Sequence, residues 1–232
     1  MPKDNVVEFV SRAEQSQMLY AAVMLPLARM IHSGRIDPET VSRDEFFAAL
    51  QELGQSHENA FELHVTRVEE EMRLVSYCIA EGEAKSGLVL FFTLLEGEIN
   101  TLLRIHLRIR GFTPNAITDA LRGTDFDTKL DVLLPLLEVS VPERMRNASL
   151  QCKAIRNLVV HNKATPTLMA DIGNKPSDAK VAGERADRFF AENPVERLQL
   201  DLQDFVDAGI YDSSAVEWGR HLFAKYYESH DA

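Results

Sequence analysis

Apolar residues along this chain recur at spacings of three and four in almost every window, and strict two-residue alternation is nearly absent. Side chains three and four apart share one face of a helix, whereas alternate residues share one face of a strand. The pattern therefore predicts an all-α protein built as a helical bundle. The single alternating stretch, Leu198, Leu200 and Leu202, passes into Phe205 and Val206 at helical spacing and is assigned to a helix as well. With 232 residues, of which 45% are hydrophobic and 26% charged, the chain can bury a substantial core as one large or two small domains.

Local signals divide the pattern into elements. A first helix is expected over residues 6–31, kinked at Pro26 and stopped at Ser33-Gly34. Asp37-Pro38 marks a turn, and a short helix from Asp44 to Leu53 is expected to stop near Gly54. Phe61, Val65, Val68, Met72, Val75 and Ile79 lay one narrow seam along a helix that needs a helical partner, in this chain or in a second copy. Leu88, Phe92, Leu95, Ile99, Leu102, His106 and Ile109 repeat the stepping, with Gly82 and Gly87 suggesting a turn or weak point between the runs. Thr113-Pro114 reads as an N-cap followed by proline at the first helical position, with Gly123 closing that helix. Phe126 to Val139 is the next helix. Ser140-Val141-Pro142-Glu143 then resembles a capping box opening a helix to about Ala164. Thr165 to Asp178, with Pro166, Gly173 and Pro176, is expected to be a loop. Two or three helices follow, the last opened by Ser214 and Glu217.

Charge narrows the function classes. Twenty-five Lys and Arg against 36 Asp and Glu leave a net charge of −11, which argues against coating nucleic acid or anionic membrane by bulk charge, so any polyanion site must be local. The longest apolar stretch, Leu88 to Leu95, is far short of the roughly 20 residues that span a bilayer, and no membrane helix is expected. The opening Met1-Pro2-Lys3-Asp4-Asn5 and the charges at Glu8, Arg12 and Glu14 do not read as a signal peptide. Cys78 and Cys152 sit in apolar helical patterns and predict two buried free thiols, which fits a reducing cytoplasm.

Several chemistries lack their residues. There is no Cys or His pair at zinc spacing, no HExxH, no GxSxG and no glycine-rich loop ending in Lys-Ser/Thr, so neither metal nor cofactor is expected. His32, His57, His64, His106, His221 and His230 have no partner at a ligand spacing and read as structural or solvent-facing. One segment differs. From Pro142 to Ala164, Met145, Ala148, Cys152, Ile155 and Val159 form a buried stripe, while Arg144, Arg146, Lys153, Arg156 and Lys163 stand against Glu143 alone, a local basic face on an acidic protein. Asn157 and His161, four apart, lie along one side of that helix, so Asn157 can orient the imidazole. Arg156 and His161 are about 140° apart around the axis. A site using both therefore needs a second helix or a second subunit to close it.

The stretch Ile155-Arg156-Asn157-Leu158-Val159-Val160-His161 resembles the Arg-x4-His motif of the HEPN superfamily, including the polar residue directly after the arginine. The order around it is similar too, with the long helix carrying Phe91-Phe92-Thr93-Leu94-Leu95-Glu96-Gly97-Glu98-Ile99-Asn100 and then Phe126-Asp127-Thr128-Lys129-Leu130. The resemblance covers residues 84–230 as a HEPN-like helical domain and leaves residues 1–83 as an N-terminal helical extension. It implies a metal-independent endoribonuclease of toxin, defence or RNA-processing type, acting as a homodimer with motif helices facing across a cleft. Arg156 would hold the scissile phosphate, His161 would be general base on a ribose 2′-hydroxyl, and Asn157 would position it. Arg144, Arg146, Lys153 and Lys163 would contact RNA, and Glu96 and Glu98 would flank the arginine. An antitoxin or other regulatory protein is a further implied partner.

Two positions depart from the family pattern. Lys163 stands where the antitoxin-paired branch often has a tyrosine that is nucleotidylated, and Asn162 replaces a common glycine. Many family members are non-catalytic interaction or nucleotide-binding modules, which is the alternative function. Structural roles also compete at single residues: Arg156 in a salt bridge to Glu96 or Glu98, and His161 as a helix-end cation. The acidic stretch from Glu192 to Glu217 is either a solvated face or a surface docking onto a basic partner or onto the basic helix.

Overall fold

Helices account for every regular element among the described residues, as the three-and-four spacing requires. The structure is a computed structural model and describes residues 24, 26–55, 68–161, 178–211 and 214–226. Helix α1 covers residues 26–32. It is followed by α2 (Arg43–Gln55), α3 (Val68–Ala80), α4 (Ala84–Ile109), α5 (Pro114–Gly123) and the single turn α6 (Phe126–Thr128). A π-helical stretch (Lys129–Leu133) leads into α7 (Leu134–Leu136), and α8 (Glu143–His161), α9 (Asp178–Glu192), α10 (Val195–Tyr211) and α11 (Ser214–Tyr226) complete the order. Residues 6–23, Phe61, Val65, Lys163 and the expected loop over 165–177 lie outside the described residues. None of the helices described is long and apolar enough to cross a membrane.

The chain folds as two compact units. The larger comprises Val65–Leu107 and Thr113–Ser213. Its core is organised on α4, where Leu88, Phe91, Phe92, Leu95, Ile99, Leu102 and Leu103 are all buried. A helix buried on several faces needs neighbours on several sides, and α4 has them. α3 packs closely at Gly87, where a Cβ would lie 3.4 Å, in van der Waals contact, from the Val75 carbonyl oxygen and the Cys78 Cβ. Phe91 meets Phe189 of α9 and Phe92 meets Phe126 of α6. The Cys152 thiol of α8 donates to the Leu88 carbonyl at 3.7 Å. His106 lies 2.7 Å from the Gly209 carbonyl of α10, which makes it a satisfied core histidine. From α3, Val68, Met72 and Val75 are buried, so the described part of the seam packs as core.

The smaller unit comprises Met1–His64, Arg108–Phe112 and Ser214–Ala232. Leu27, Met30, Ile36, Val41, Phe46, Ala49 and Leu222 form its core. The Tyr226 hydroxyl donates to the Val41 carbonyl at 2.7 Å. Ser42 and Glu45 cap α2 reciprocally: Ser42 N–H donates to Glu45 Oε2 at 2.8 Å, and Glu45 N–H donates to Ser42 Oγ at 3.4 Å.

Helix α2 extends to Gln55, one residue past Gly54, in keeping with a stop near that glycine. Three expectations are corrected at the level of elements. Gly87 lies inside α4 as a contact position, while Gly82, at φ +76°, makes the turn. Cys78 is half-buried, and only Cys152 is a fully buried thiol, its ionisation pushed up by burial. The helix expected over Phe126 to Val139 is interrupted and ends at Leu136. Pro135 has no N–H and its ring crowds the carbonyl four residues back. The chain relieves this by widening, with Leu134 N–H donating five residues back to Lys129. The alternating leucines behave as helical spacing requires, with Leu198 and Leu202 buried and Leu200 exposed.

At the end of α7, Glu138 adopts φ +64°. Val139 N–H donates to the Leu134 carbonyl at 2.9 Å and Glu138 N–H to that of Pro135 at 3.0 Å, the bond pair of a helix end that favours glycine at this position. A side chain in the left-handed region is strained. Glu138→Gly should therefore raise the unfolding free energy by about 1 kcal/mol, read as a higher urea midpoint with an unchanged slope. A lower midpoint would show that the Glu138 side chain contributes more than the strain removes.

Candidate functional site

The motif helix α8 is fixed by its apolar stripe. Met145, Ala148, Cys152 and Ile155 are buried, with Val159 only half-buried in the last turn. Burying that stripe turns Arg144, Arg146, Lys153 and Arg156 away from the deepest core, and the structure places each differently. Arg144 Nε lies 3.1 Å from Asp201 of α10, a carboxylate it shares with Arg197 at 2.9 Å. Arg146 donates twice to Asp131 in the π-helical stretch, at 2.7 and 2.9 Å. Lys153 donates to Asp127 beside it. Each of these three cations thus meets an acid of its own unit.

Arg156 does not. Its guanidinium carbon stands 5.3 Å from the centroid of the Phe92 ring, and Nη1 donates to Asn157 Oδ1 at 3.2 Å. Among the described residues no carboxylate pairs with it. Phe92 is itself held by Phe126, with centroids 4.9 Å apart. Stacking on a buried ring orients the planar guanidinium and leaves its remaining donors for an outside acceptor.

Of the acids expected to flank the arginine, Glu96 pairs with a different cation. Glu96 Oε1 is 3.8 Å from the ammonium of Lys129, a lysine buried within the π-helical stretch. Glu98 is buried in α4. Neither forms an ion pair with Arg156, so the structural salt bridge weighed for that arginine is not made. Asn157, expected to orient His161, uses its amide oxygen on Arg156. The backbone of His161 closes α8, and its side chain lies outside the described residues, as does Lys163. The acidic stretch meets the basic helix at Asp201, beside Arg144, and at Glu192, which accepts from the Gln151 amide at 3.3 Å.

Sequence reading missed Phe92, Asp127, Lys129 and Asp131 as members of this network, whereas Asp201 belongs to the acidic stretch for which docking onto the basic helix was one alternative. A signal was available for one group: Asp125, Asp127 and Asp131 crowd a short segment. Among the described residues, no group of three or more His, Cys, Asp or Glu side chains is placed to hold a metal ion. Comparison of the chain with family models, with curated proteins and with solved structures found no match.

Asp125 supports the segment that carries Asp127. Its carboxylate accepts from Thr128 N–H at 3.0 Å and from the Thr128 hydroxyl at 2.8 Å, and these bonds hold its ionisation below the ordinary carboxylate range. The folded value lies below the unfolded one. The stabilisation is therefore complete above the unfolded value and is lost as pH falls through the folded one. Asp125→Ala should lower the melting temperature at pH 7, and its gap to the parent should narrow steadily between pH 4 and pH 2. A gap that stays constant over that window would assign the effect to the neutral cap alone.

Proposed function

We propose that the protein is a metal-independent endoribonuclease of the HEPN type, with a HEPN-like core over residues 84–230 and a role in toxin, defence or RNA-processing systems of the cytoplasm. The observation that carries this reading is the state of Arg156. It is the cation of α8 with no carboxylate among the described residues, held by Phe92 and Asn157 five residues before His161. A guanidinium fixed this way receives a phosphate with paired hydrogen bonds. His161 removes the proton from a ribose 2′-hydroxyl, and the 2′-oxygen attacks phosphorus. Arg156 balances the charge that develops on the phosphoryl oxygens. The bond to the 5′-oxygen breaks, and that oxygen takes a proton from an imidazolium of the facing motif. The products are a 2′,3′-cyclic phosphate and a 5′-hydroxyl end.

A homodimer completes this site. Two α8 helices across a two-fold axis bring an arginine and a histidine from different copies to one phosphate. The exposed Val160 and half-buried Leu158 and Val159 of the last turn supply apolar surface for that contact. The second reading, a non-catalytic module that binds nucleotide, RNA or a regulatory protein such as an antitoxin, is favoured by the pairing of Arg144, Arg146 and Lys153. Those pairs shrink the footprint available to RNA.

Purified protein incubated with total RNA in EDTA should cut it, leaving 2′,3′-cyclic phosphate ends, and Arg156→Ala and His161→Ala should each lower the rate at least 100-fold with helicity unchanged. Light scattering should give twice 26.2 kDa. Unaltered cutting by His161→Ala rules out the assigned base. RNA retained but never cut by the parent favours the module.

A further inference from the structure

The smaller unit contains a cavity of about 520 Å³ that the motif does not use. Three arginines line it from two stretches of chain: Arg29 on α1 and Arg35 in the turn after it, and Arg110 just past the end of α4. His32 joins them from the next turn of α1. Glu52 is the one acid of the described lining, and both its oxygens accept from the same Arg35 nitrogen, Nη2, at 2.7 Å. Arg110 is half-buried, and its side chain has no ion pair or hydrogen bond to any described residue. Arg35 and Arg110 share Glu52 as the one acid of the described lining, which leaves a local positive charge on a chain of −11.

Like charges converge at a cost unless an anion lies among them, and their field is focused by a concave low-dielectric wall. The volume lies within the range of small-molecule sites and far exceeds what an inorganic anion fills. Pro26, Met30 and Ile109 supply an apolar wall for an organic body beside the cations. Glu52 occupies one nitrogen of Arg35 and leaves Nη1 and Nε for a second acceptor. We infer that this cavity binds a nucleoside diphosphate, with Arg110 and Arg35 on the phosphates, Glu52 as an internal competitor for Arg35, and the apolar wall against the nucleoside.

The inference is independent of RNA cleavage and concerns a different unit. Its test is calorimetric titration of the full chain with the four common ribonucleoside diphosphates, with adenosine and with inorganic phosphate. At least one diphosphate should bind with micromolar affinity, at least tenfold tighter than either adenosine or phosphate. Arg110→Gln should weaken that binding tenfold or more, and Glu52→Gln should tighten it severalfold by releasing Arg35. The Arg35–Glu52 pair is solvent-exposed, so Glu52→Gln should melt near the parent temperature, and so should Arg110→Gln, which breaks no side-chain pair with a described residue. Arg156→Ala should bind as the parent does. Absence of binding by all four diphosphates at millimolar concentration overturns the inference. So does an Arg110→Gln variant of parental affinity, phosphate binding as tight as the diphosphate, or loss of binding in Arg156→Ala, which would place the ligand at the motif instead.

Discussion

Burial of α4 is the constraint on which the larger unit depends. A 26-residue helix with apolar positions on several faces is stable in water only when those faces are covered. The cover comes from α3 through Gly87, from α6 through Phe126, from α8 through Cys152, from α9 through Phe189 and from α10 through Gly209. Each contact also sets where a polar group can stand. Phe92 serves both purposes, since one edge of its role is core packing against Phe126 and the other is the platform under Arg156. The candidate site is thereby tied to the most buried element of the unit.

Polar pairing around α8 follows a consistent logic. The acids of α6, of the π-helical segment and of α10 satisfy the outer cations, so the helix is held in rotation as well as in depth. Asp201 takes two arginines while its side chain is largely buried, and a carboxylate in that setting is stable only when its charge is compensated. Arg156 lies beyond the reach of these pairs. Its isolation from them distinguishes it from its neighbours more clearly than its place in a six-residue motif does.

Periodicity made the helices legible because burial of one face is a local property, written into every three or four residues. The seam at Val68, Met72 and Val75, the stripe on α8 and the proline-opened α5 could be read that way. The interruption at Lys129–Leu133 could not be, since Pro135 resembles an ordinary early-helix proline until the widened turn is seen. Ion pairing was hidden for a different reason. Arg144 and Asp201 are 57 positions apart, and nothing in the local pattern tells a cation awaiting RNA from one already matched across the core. The same limit concealed the cavity, whose arginines come from positions 29, 35 and 110.

Tyr226 reaches Val41 across 185 positions of sequence, and this fixes an order of assembly. The larger unit draws on chain that ends at Ser213, whereas the smaller one needs α11 beside α2 to close its core. A chain emerging from the ribosome can condense around α4 while its first helices still lack their last partner. Closing so long a loop costs only slightly more entropy than closing a shorter one, so the delay is a matter of timing and not of stability. During that interval Phe46 and its apolar neighbours remain without the cover that Leu222 and Tyr226 of α11 provide.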